Sequence, residues 1–91
     1  MKYRKKPLVI EAIQFMGTKD SKEEIYKKFP DLGVVNSPSP HSMFVQTLEG
    51  TMTAYRTDWI AKGIKGEFYP IRNDIFQETY EKVEESDASN T

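Results

Sequence analysis

Few residues in this chain carry types and spacings that could do chemistry. His41 is the only histidine, and there is no cysteine. No zinc constellation can be composed from that inventory. His41 stands in a Ser- and Pro-rich segment, SPSPHS, and reads as exposed and chemically idle, with no partner spaced to work with it. Glu67, Asp74 and Glu78 could form a paired-carboxylate site or an oxygen-ligand cation site. No DxDxDG loop is present, and Asp74 has a ready role capping a helix, so the structural reading of the three is preferred. No metal site, cofactor or catalytic residue is therefore expected.

Lys62-Gly63-Ile64-Lys65-Gly66 could cradle a phosphate through backbone N–H groups with two lysines at hand. It lacks the GKS or GKT of a Walker loop, and a lysine-rich β-turn is the plainer reading. Asp58 precedes the only tryptophan, Trp59. It could be a carboxylate beside an aromatic platform for a base or sugar, or a turn residue whose side chain accepts a backbone N–H. Tyr55 and Tyr69 are the aromatics expected at an exposed edge, because their hydroxyls tolerate water. The candidate ligand- or partner-binding set is thus Lys62, Lys65, Arg72, Tyr69, Tyr55 and Asp58. Its three cations are expected to form one positive surface beside a strand over residues 67–71. Lys2, Tyr3, Arg4, Lys5 and Lys6 interleave an aromatic with four cations, a pattern that can hold phosphate backbones. Four charges on a chain of net charge −1 make solubility, or pairing with the acidic end, the better reading. Nucleic acid is not an expected partner.

These groups must be positioned by a single small domain. The chain has 91 residues, 37% hydrophobic and 30% charged. Residues 1–85 are read as one α+β domain and residues 86–91 as a disordered polar tail. A core of this size leaves modest stability, which association into a homodimer or higher oligomer would raise. The absence of cysteine fits a cytoplasmic location. The longest apolar run, Leu8-Val9-Ile10, is too short for a membrane span or a signal sequence, so no membrane partner is expected.

Taken in order, residues 8–15 place apolar side chains on both faces of an extended segment, which predicts a central strand. Ser21 with Glu24 forms a capping box for a helix over residues 22–29. Ile25 and Phe29 are its buried stripe, and Pro30 stops it. Val34-Val35 offers a short strand, and residues 37–42 a mobile loop. A hairpin follows, with Glu49-Gly50 as its loop, Leu48 opposite Thr51 and Phe44 opposite Tyr55. Trp59-Ile60-Ala61 and residues 67–71 make two further strands. The glycines between them supply positive φ, and Pro70 argues for an edge. A short helix begins at Asn73 or Asp74, either of which can cap it. Residues 79–84 turn extended again. The result is a small antiparallel sheet, able to curl into a partial barrel, with one N-terminal and one short C-terminal helix. Ile10, Ile13, Phe15, Ile25, Phe29, Val45, Trp59, Ile60, Phe68, Ile75, Phe76 and Tyr80 should supply its core.

Two stretches carry a resemblance: MKYRKKPLVIEAIQF at the start, and DWIAKGIKGEFYPIRNDIFQETYEKV from Asp58 to Val83. Together with residues 49–57 they resemble a family of small phage and prophage proteins, marked by a Pro-Gly-Asp-Trp turn, a KGxKGEFYP segment and a DIF..TYE ending. This chain departs from that pattern twice. Arg56-Thr57 stands in place of Pro-Gly, and Ile71-Arg72-Asn73 in place of Cys-Lys-Pro. The resemblance implies a phage-encoded protein that acts in the infected cell by binding and blocking a host protein; the missing catalytic constellations make it a non-catalytic one, and the lack of cysteine fits the host cytoplasm. Two other readings stay open. One is an oligomer that sequesters a nucleotide-like signal on Lys62, Lys65 and Arg72 with Trp59 or Tyr69; the other is a minor virion or assembly component.

Overall fold

The computed structural model describes residues 1–4 and 8–83. Their order is β1 (Glu11–Gln14), α1 (Lys19–Lys28), β2 (Ser42–Thr47), β3 (Gly50–Tyr55), β4 (Trp59–Lys62), β5 (Phe68–Ile71) and α2 (Asn73–Thr79). The architecture is α+β with antiparallel pairing throughout, as expected. It is not one sheet and not a closed barrel: β1-β4-β5 form one sheet and β2-β3 a separate hairpin.

The three-stranded sheet is the middle layer. One face carries Ile13, Ile60 and Phe68, in line with Phe15. It packs against Ile25 of α1, Phe29 at its C-cap, Leu32 beyond it, and Met43, Val45 and Ala54 of the hairpin. The opposite face carries Trp59, Ala61 and Tyr69, and α2 lies over it: the Phe76 ring stacks on Trp59 at 4.1 Å and 9°. Of the expected core, Phe15, Ile25, Phe29, Val45, Ile60 and Phe68 are buried, while Ile10, Ile13, Trp59, Phe76 and Tyr80 are partly buried. Ile75 is 49% exposed, because α2 is a single covering helix and turns Phe76, not Ile75, onto the sheet. Leu32, Met43, Ala54 and Ala61 complete the buried set.

Several local expectations are corrected. β1 is an edge strand and only four residues of it pair. Its two apolar faces reflect layers above and below it, not strands on both sides. Helix α1 starts three residues earlier than the capping box implies. Thr18 is the cap, its Oγ1 accepting the Ser21 N–H at 3.0 Å. Ser21 is buried, and its hydroxyl accepts the Met16 N–H at 2.8 Å. The hairpin loop is Leu48-Glu49, so that Thr47 faces Gly50 and Phe44 faces Thr53. Thr47 Oγ1 accepts the Glu49 N–H and donates to Gly50 O, closing the turn one residue early. Gly50 takes the positive φ, +110°. The slip moves partners by two positions, so each side chain keeps its expected face. Val34-Val35 is not a strand, and residues 80–83 form none. The 37–42 loop is fastened at several points: Ser37 and Ser42 hydroxyls meet at 3.0 Å, Lys22 Nζ donates to Ser39 O, and His41 Nδ1 lies 3.0 Å from Gly17 O. His41 is exposed, but it has this structural contact. The expected tail over residues 86–91 lies outside the described residues.

The turn at Arg56-Thr57 is made without proline or glycine. Asp58 N donates to Tyr55 O at 2.9 Å, and Thr57 sits at φ +77° in the third position. That is the type II arrangement, which ordinarily calls for glycine there. Phe15 is opposed by two residues: its C=O accepts from Thr57 N and its N–H donates to Asp58 O. The result is a bulge whose first residue holds positive φ.

Candidate binding groove

The residues singled out by sequence do not converge. Lys62 and Arg72 flank opposite ends of the β4–β5 ladder, since Lys62 pairs with Phe68 and Trp59 with Ile71. The length of β5, about 10 Å at ~3.3 Å per residue, lies between the 62–66 turn and Arg72. Lys62 Nζ is 3.6 Å from Asp31 Oδ2 and 5.8 Å over the Phe68 ring. Arg72 is bound at 2.8 Å to Asp74 Oδ2. The expected single positive surface is therefore absent: two of its three cations have their own acids, and strand β5 separates them.

The phosphate cradle at residues 62–66 is closed by the chain itself. Glu67 folds back over the loop, so that its Oε1 accepts the Lys65 N–H at 3.0 Å. Gly66 N donates to Gly63 O and Gly63 N to Glu67 O. A Cβ on Gly63 would displace the Glu67 carboxylate from this position, and Gly66 takes a φ of +83°, which favours glycine. A carboxylate already holding one of these amides leaves an anion a poor site. Asp58 has the turn role: its Oδ2 accepts the Tyr55 N–H at 2.9 Å. The acceptor reaches back three residues, not forward two. Tyr55 is exposed at the end of β3 and Tyr69 is half-buried. Neither Asn73 nor Asp74 caps α2, because Arg72 occupies the cap position without a side-chain bond. Asp74 instead holds Arg72 and its neighbour's N–H. Asn73 is turned to the sheet, where its Oδ1 accepts from Trp59 Nε1 at 2.9 Å, Gln77 Nε2 at 3.2 Å and Gln14 Nε2 at 3.4 Å.

What the fold does build is an apolar groove that sequence reasoning missed. It runs along β1, between the end of α1 and the covering helix α2, with a volume of about 810 Å³. Ile13 and Phe29 line one side, Trp59 and Phe76 the other, and Val9, 76% exposed, stands at its end. A second depression of about 540 Å³ adjoins it across Leu8, Ile10, Tyr80 and Val83, and reaches Ile64, Glu67 and Tyr69. Tyr69 and Tyr80 are neighbours there. Burial first, then Tyr80 and the Glu67 carboxylate, push the Tyr69 hydroxyl above its ordinary pKa. The surface is continuous because both depressions include Leu8, Ile10, Tyr80, Glu81 and Val83. The signal that could have found it was the run Leu8-Val9-Ile10, which reads equally well as a fully paired strand.

Among the described residues, no group of three His, Asp or Glu side chains is placed to hold a metal ion. No helix among them is long and apolar enough to cross a membrane. The chain matches no family model, no curated protein and no solved structure.

Proposed function

We propose that this chain is a small, non-catalytic binding protein, encoded by a phage or prophage, that acts in the host cytoplasm by holding a host protein through the groove beside β1. The observation that supports it is the groove itself. It sets exposed aliphatic side chains, Val9 and Leu8 among them, next to half-buried aromatics on a small chain. Apolar area left open beside aromatic anchors is what protein partners cover. The phage origin and the blocking role rest on the resemblance of residues 1–15 and 49–83. The nucleotide-sequestering reading has less support, because Lys62 and Arg72 are paired with Asp31 and Asp74 and the 62–66 loop is capped by Glu67.

The test is affinity capture from host extract with the intact chain and with Val9→Asp, whose exposed site tolerates the change without unfolding. One host protein retained by the parent chain and lost with Val9→Asp is the expected result. A host protein retained equally by both would remove the groove from the reading. Capture of no protein, alongside nucleotide-dependent stabilisation of the purified chain, would turn the reading to the small-ligand alternative.

A further inference from the structure

The two edges of the β1-β4-β5 sheet are unlike. β5 carries Pro70, which has no N–H to offer a further strand. β1 carries over Glu11–Gln14 no proline and no lysine, the usual means of blunting an edge. The direction of its free groups follows from its pairing. Phe15 exchanges hydrogen bonds with residues 57 and 58 on the β4 side, and antiparallel alternation then turns Ile13 and Glu11 the same way. The N–H and C=O of Ala12 and Gln14 therefore point to the open side. Met16, next in that outward series, is answered by Ser21 Oγ at 2.8 Å. Ala12 and Gln14 have no such answer among the described residues.

This open edge is the floor of the groove. Lys28 and Phe29 at the end of α1 form one wall, and Trp59, Phe76 and Gln77 the other. We propose that β1 receives an extended segment of another protein by strand addition, bonded through the main chain of Ala12 and Gln14. The inference rests on the reading of the groove as a protein-binding surface and names the mode and the partner's chemistry. A strand lies about 4.8 Å from its neighbour and sends side chains to alternate faces. An added strand would therefore present one set to Phe29 and the other to Trp59 and Phe76. Both walls are apolar at the floor, so the segment is apolar on both faces and has no proline at its bonded positions. The rim, with Lys28 and Lys82 against Glu11 and Glu81, selects neither sign of charge.

A second copy of β1 is the weaker occupant: paired about Glu11, the only charged residue of the strand, it opposes two carboxylates, and paired about Ala12 or Ile13 it sets Glu11 against an apolar side chain, Ile13 or Phe15. The chain's own end, EESDASNT, lacks the apolar residues the walls require.

The probe is an array of short peptides of random sequence, bound to the full chain and to Ala12→Pro and Val9→Asp. Ala12→Pro deletes one outward N–H at an edge that tolerates proline. The expected binders are free of proline and apolar at successive positions. Ala12→Pro should bind them about tenfold or more weakly with its melting transition retained. Amide exchange at Ala12 and Gln14 should slow when a binder is added. Binders held equally by Ala12→Pro, or exchange at those amides unaltered, would overturn strand addition while leaving the groove a binding surface. Loss with Val9→Asp but not with Ala12→Pro is that case. An array without binders, beside successful capture of a host protein, would overturn the extended-segment chemistry alone. Slow exchange at Ala12 and Gln14 in the free chain, released by dilution or by deleting residues 84–91, would give the edge to a second copy or to the chain's own end and overturn the proposal.

Discussion

Trp59 Nε1 donates to Asn73 Oδ1 at 2.9 Å, and that bond fixes α2 on the sheet. The same oxygen takes Gln14 Nε2 and Gln77 Nε2, so one side-chain carbonyl joins β1, β4 and α2. Asn73→Ala leaves the indole N–H without its acceptor, while Gln14 Nε2 keeps its 3.0 Å bond to Thr57 O. The expected loss is about 1–3 kcal/mol in urea unfolding, with a change in tryptophan emission in the native baseline. Unchanged stability would show that α2 is held by ring stacking alone.

Phe76 and Ile75 are neighbours in sequence with opposite fates. Phe76 stacks on Trp59 and touches Tyr80, with ring centroids 4.1 and 5.1 Å apart. Phe76→Ala should cost about 2–3 kcal/mol, at or below the lower limit for a fully buried ring because Phe76 is only partly covered. Ile75→Ala should change stability by about 0.5 kcal/mol or less. Thermal unfolding of the pair decides the register of α2, and equal effects would contradict it.

Thr57 holds a φ of +77° at a position where a type II turn and a bulge both favour glycine. Thr57→Gly should raise stability by about 1 kcal/mol, since a β-branched residue in the left-handed region carries strain of that order. The companion change Gly66→Val, at φ +83°, should lower it by at least about 1 kcal/mol. Melting temperatures moving in opposite directions are the expected outcome. A destabilised Thr57→Gly would assign Thr57 a side-chain role that outweighs the strain.

Tyr69 gives the fold an alkaline limit. Its hydroxyl is held above the ordinary value of 10.0 by burial, by Tyr80 and by Glu67. The folded chain then binds that proton more tightly than the unfolded one. Its contribution is complete below the unfolded pKa and is lost as pH rises through the folded one. Stability should fall at about pH 10 and above, and Tyr69→Phe should flatten that part of the profile. Phenolate absorbance during titration would identify the group; a fall that persists in Tyr69→Phe would assign it to another tyrosine.

The sequence by itself determined the order of most elements and the larger part of the core. Ile25 and Phe29 four apart before Pro30, the alternation over β2 and β3, and Trp59-Ile60-Ala61 before a glycine turn are local signals. Local sterics and periodicity suffice to read them. The turn at Arg56-Thr57 carries no proline or glycine to announce it, and Thr57 takes the positive φ there. What only the tertiary structure decided was which neighbours each element meets. An apolar residue reports that its face is covered, not by what, so β1 reads as a central strand although it is an edge between two layers. Hairpin register turned on one threonine hydroxyl, and the faces survived because a two-residue slip keeps the pleat. The dispersal of Lys62 and Arg72, and the Glu67 carboxylate over its own loop, follow from strand length and chain reversal. Charges near in sequence can be far apart on a ladder. The groove belongs to no single segment: α1, β1 and α2 each supply one side, and only their packing brings the sides together.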